Sequence, residues 1–124
     1  MTERPGPLEQ LDRYFLAATI AHEYADDLHC ELAELHADDV HTRKLLRESA
    51  AVVLKQMPRL ARELRGVERE WEEQELLDPA QAESTAQSLG ARWADLAPEL
   101  AALRARQDEI VAELAELVSR ASRG

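Results

Sequence analysis

Three histidines recur at intervals of seven, His22, His29 and His36, and Asp26 lies between the first two. On a helix, steps of three and four residues return to one face, so His22, Asp26 and His29 would point the same way. Imidazole and carboxylate groups ligate transition metals, and helical bundles build metal centres from such inward-facing sets. These three residues are the sequence's candidate metal site, for a transition metal or, more loosely, a haem. Cys30 follows one turn after Asp26. Bundle sites of this kind draw ligands from several helices, whereas all four histidines here lie within residues 22–41 and no Glu-x-x-His pair occurs. The plainer use of the same residues is a border between core and solvent. His29 would then join Gln107 or Ser49 in a polar layer that fixes helix register. Beside Asp26, Asp27 and Glu31, the histidines also offer a change of charge near about pH 6.

A second cluster is apolar. Between Tyr14 and Tyr24 the chain is hydrophobic nearly all round a helix, and Leu16, Ile20 and Tyr24 form a stripe at i, i+4 and i+8 pointing away from the main seam. A helix buried on one side has no use for such a stripe. It reads as a second interface, most simply a two-fold homodimer contact. The plainer accounts are a central helix in the monomer or scattered surface apolars. Trp71 and Trp93 fall at seam positions, where aromatics fill cores. With Met57, His22 and two prolines nearby they could border a small apolar pocket. The chain has no Gly-rich phosphate loop, Gly-x-Ser-x-Gly, Cys-x-x-Cys or His-Glu-x-x-His motif, so catalysis is not expected.

The elements that must position these residues are helices. Ala, Leu, Glu and Arg dominate, aromatics are 4% and hydrophobic residues 45% of 124 residues. That composition favours long helices with one core and argues against disorder or a β fold. Pro5, Gly6 and Pro7 mark residues 1–7 as a flexible lead-in, with one bundle domain over 8–121. The first predicted helix covers about residues 8–36, with Leu11, Phe15, Ala18, His22, Ala25, His29, Leu32 and His36 in its seam. The second covers about 42–76, with Leu46, Ala50, Val53, Met57, Leu60, Leu64, Val67, Trp71 and Gln74 in its seam. The third runs from 79 to about 119 through Ala82, Ala86, Leu89, Trp93, Leu96, Leu100, Leu103, Gln107, Ile110, Leu114 and Leu117. Sustained heptad stripes of this kind pack as coiled coils.

Asp39 or Thr42 would cap the second helix. Asp78, with Pro79 at the first helical position and Gln81 beyond, would cap the third. The predicted fold is all-α, an antiparallel three-helix bundle. Reversals about Asp39 and Asp78 would bring Pro58 level with Pro98, Gly66 level with Gly90, and His29 level with Gln107. A proline inside a helix costs about 3 kcal/mol, so the two prolines predict a kink or a break in the second and third helices.

The formal charge is −10, which argues against nucleic acid and anionic membrane as partners. One cysteine excludes an internal disulfide, and neither an apolar leader nor a membrane-length apolar run is visible, so a cytoplasmic protein is expected. Residues 1–40 are strongly acidic and residues 43–65 basic. Three functions follow as expectations. The first is a non-enzymatic interaction, scaffold or adaptor protein that self-associates through its first helix and meets a protein partner. The second is a metal- or haem-binding bundle using His22, Asp26 and His29. The third is an acidic inhibitor, of the antitoxin kind, whose first helix binds a basic partner surface.

Overall fold

The computed structural model describes the backbone of residues 7–123, with all side chains among them except those at positions 7, 8, 67, 71, 74–77, 79, 82, 85, 86 and 89. Of the predicted lead-in at residues 1–7, residues 1–6 lie outside the described parts and Pro7 instead begins the first helix; the predicted seam side chains of Val67, Trp71, Gln74, Ala82, Ala86 and Leu89 also lie outside them. The chain forms α1 (Pro7–Glu34), α2 (Val40–Ala51), a π turn (Val52–Gln56), α3 (Met57–Leu77) and α4 (Pro79–Arg123). The π turn joins α2 to α3 without a gap, so the three form one rod. The fold is an all-α bundle of three rods, with no strand among the described residues.

The first reversal is built from local bonds. The His36 N–H donates to the Ala33 carbonyl at 3.1 Å, and the Ala37 N–H to the Leu32 carbonyl at 2.8 Å. This pair of bonds closes α1 in a Schellman turn, with His36 in the left-handed region at φ 57. Glycine suits that position best, and histidine is among the side chains that tolerate it. Asp39 then caps α2. Its carboxylate accepts from the Thr42 N–H at 2.9 Å, while the Thr42 hydroxyl accepts from the Asp39 N–H at 3.1 Å. At the second reversal the Asp78 carboxylate accepts from the Ala80 N–H at 3.0 Å, as its capping position requires.

Contacts along the rods fix their directions. Glu63 pairs with Arg92, Arg59 with Glu99, Glu48 with Arg106, and His41 with Glu113, so numbers fall on one rod as they rise on the other. Two apolar clusters fill the interior. One holds Leu11, Ala18, Val52, Met57, Leu60, Leu64, Leu96 and Leu100; the other holds Ala25, Leu28, Leu32, Leu45, Ile110 and Leu114. Full burial of one such Leu contributes about 1.5–3 kcal/mol. Trp93 packs, partly buried, on the first cluster.

Neither proline breaks its helix. Pro98 lies inside α4, and Pro58 is the second residue of α3, directly after the π turn. A proline ring lacks an N–H and clashes with the carbonyl four residues back; a π turn widens the backbone at that point and removes the need for a break. The extra residue in that turn also moves the buried face. Val53 within the turn and Met57, Leu60 and Leu64 after it are buried, as a heptad drawn through them requires. Before it the buried line is Thr42, Leu45 and Ser49, running into Val52 at the start of the turn; Leu45 and Ser49 are one position earlier than the predicted Leu46 and Ala50, which are only partly buried. The glycines do not mediate close approach, since an added Cβ at Gly66 or Gly90 would meet nothing within 4 Å.

Candidate protein interface

The polar layer lies between the two apolar clusters. Gln107 is fully buried and its amide donates to the Ser49 hydroxyl at 2.7 Å and the Ala18 carbonyl at 3.3 Å. Ser49, also fully buried, bonds the His22 ring Nδ1 at 2.8 Å. One member of each rod thus meets in a single layer, and the Gln107 amide oxygen is left without a protein partner. A buried polar layer of this kind favours one register over its neighbours, at a cost in stability.

Ser49 and Gln107 take the positions read from the sequence, but the histidine does not. His22 occupies the layer, and His29 instead bonds the Asp38 carboxylate at 3.0 Å near the first reversal. The cause is the Schellman turn. The turn between the helices spans residues 35–39, so the chain reverses before Asp39 rather than about it. An earlier reversal slides α1 along its neighbours, and His22, one heptad before His29, reaches the layer.

The candidate metal residues are accordingly separated in function. His22 faces Ser49, His29 faces Asp38, and Asp26 is exposed. Among the described residues, no three His, Cys, Asp or Glu side chains come together in an arrangement that could hold a metal ion. Met57 is fully buried within the first cluster. Around Asp38, burial pushes the carboxyl upward. Hydrogen bonds from His29 and Thr42, with the nearby Arg43, outweigh it and hold the carboxyl below its ordinary value. The Arg106 guanidinium grips Glu48 through both oxygens, at 2.7 and 2.8 Å, and lowers that carboxyl too. These groups clamp the reversal and the rods.

The outer face of α1 is different. Leu16, Ile20 and Tyr24 are 61%, 57% and 52% exposed, in an otherwise well-packed helix. Beside them runs a groove of about 430 Å³ between α1 and α4, lined by Ala17, Ile20, Ala21, Tyr24, Arg104, Asp108 and Val111. The stripe and groove make one continuous apolar strip. Arg104 at its edge lies over the Tyr14 ring, 5.7 Å from the centroid. Two other large apolar side chains stand out on α2 and the π turn. Val40 is 77% exposed, and Leu54, 71% exposed, borders a smaller groove with Arg47, Ala50, Ala51 and Lys55. A heptad pattern does not show this second groove, because its position depends on the π turn.

No family model, curated protein or solved structure matches the chain. No helix among the described residues is long and apolar enough to cross a membrane.

Proposed function

We propose that this chain is a non-enzymatic interaction protein, a helical scaffold or adaptor that self-associates through the outer face of α1. The observation that carries this reading is the exposed stripe of Leu16, Ile20 and Tyr24 continuous with an apolar groove. Water-exposed apolar area of this length on one helix gains about 25 cal/mol per Å² when covered. The three side chains sit on a helix whose opposite face is fixed in two clusters, so the strip is presented on a rigid support. Rigid presentation lowers the ordering cost of association.

Light scattering at high micromolar concentration tests the reading. The chain should scatter as a dimer, and Leu16→Glu with Ile20→Glu should return it to monomer while circular dichroism stays helical. A wild-type chain that is monomeric throughout, or a dimer indifferent to both substitutions, would remove the reading.

A further inference from the structure

The exposed face of α1 has a symmetry in its spacing. Arg13, Leu16, Ile20, Tyr24 and Asp27 follow one another at steps of three, four, four and three, so the run reads the same from either end about Ile20. All but the two charged ends are large and apolar, and all five are exposed or half-exposed on α1. The ends carry opposite charge. We propose that the occupant of this face is a second copy of the same chain, laid antiparallel along α1 with the two-fold axis beside Ile20. This inference rests on the self-association reading and specifies its geometry.

The pairing follows from the two-fold. In an antiparallel contact, residues equally far on either side of the axis share a layer across the interface. Ile20 meets Ile20 of the second copy, Leu16 shares a layer with Tyr24, and Arg13 with Asp27. The aliphatic and aromatic side chains interdigitate, and each end gains an opposite-charge pair. A parallel contact would set Arg13 beside Arg13, Asp27 beside Asp27 and Glu23 beside Glu23, with like charges in successive turns. Arg13 is already held by Glu9 at 3.2 Å, which orients its guanidinium along the same face. Glu9 and Glu31 share the outermost antiparallel layer as like charges, so the contact ends there. An isologous contact of this kind closes at two chains. A heterologous contact, with the apolar strip of α1 seated on the groove around Leu54, whose rim carries Arg47 and Lys55, would instead propagate into longer assemblies.

Disulfide trapping separates these arrangements. With Cys30→Ser as background, Leu16→Cys, Ile20→Cys and Tyr24→Cys are made singly and oxidised gently. Ile20→Cys should link to itself. An equal mixture of Leu16→Cys and Tyr24→Cys should give mainly the mixed disulfide, well above the statistical half. Preferential linking of Leu16→Cys to itself would show a parallel contact and overturn the proposal. So would species larger than dimer that vanish on Leu54→Glu. Light scattering on the same background keeps the two levels apart. A monomer there ends the self-association reading itself, whereas a dimer with the wrong cross-links ends only the antiparallel geometry.

Discussion

The two faces of α1 differ in one respect that decides the functional reading. On the inner face, Leu11, Ala18, Ala25 and Leu32 are between 0% and 1% exposed, locked against α2, α3 and α4. On the outer face, Leu16, Ile20 and Tyr24 are more than half exposed although they are larger than two of those inner residues. Burial on the inner face is what folds the monomer. The outer face contributes far less of that kind to the isolated chain, and the proposed second copy is what would cover it. Mutations should therefore separate cleanly into those that unfold and those that dissociate.

The largest expected effect is on the inner face. Leu32→Ala removes a fully buried side chain from the second cluster and should lower unfolding free energy by about 2–5 kcal/mol in urea titration. Next comes Leu16→Glu with Ile20→Glu, which should abolish association yet leave the stability of the monomer within about 0.5 kcal/mol, as for ordinary surface substitutions. If that pair unfolded the chain, the distinction between the faces would collapse. Asp39→Ala removes the cap of α2 and should cost about 1 kcal/mol without touching association. Smallest, and of opposite sign, is Gly66→Ala. It sits in an exposed helical position with open space at its Cβ, and should gain up to about 1 kcal/mol in thermal unfolding.

Acid should act on the inner architecture through Asp38 and Glu48. Both carboxyls are held below their ordinary values of 3.8 and 4.5. A carboxylate with a lowered folded pKa stabilises the fold fully above its ordinary value, and that contribution is lost as pH falls through the lowered one. The urea midpoint should therefore drop below about pH 4, and Glu48→Gln should lessen the drop. Glu68 runs the other way. Burial and the neighbouring Glu72 raise its carboxyl, so its protonation relieves the fold as pH falls.

Much of this molecule is written in local patterns. Asp39 with Thr42, and Asp78 with Pro79, mark the two reversals because caps are short-range chemistry. The stripes through Leu11, Ala18, Ala25 and Leu32, and through Leu96, Leu100, Gln107, Ile110 and Leu114, mark the core because helical periodicity is regular. The exposed stripe on α1 was legible for the same reason. What escaped is what depends on where a helix closes or where a residue is inserted. His36 closes α1 in a left-handed conformation that no glycine announces, and this slides His22 into the layer assigned to His29. The π turn inserts one residue before Pro58, and this moves the buried face of α2 from Leu46 and Ala50 to Leu45 and Ser49. A heptad pattern carries no record of such insertions, because both sides of the insertion stay periodic.

Self-association through the outer face of α1 can be read by sedimentation equilibrium across a dilution series, run beside the Leu16→Glu and Ile20→Glu double variant. The wild-type mass should rise from 14.0 kDa towards twice that value with concentration, while the variant stays at the mass of one chain. Two curves that coincide, at either mass, would contradict it.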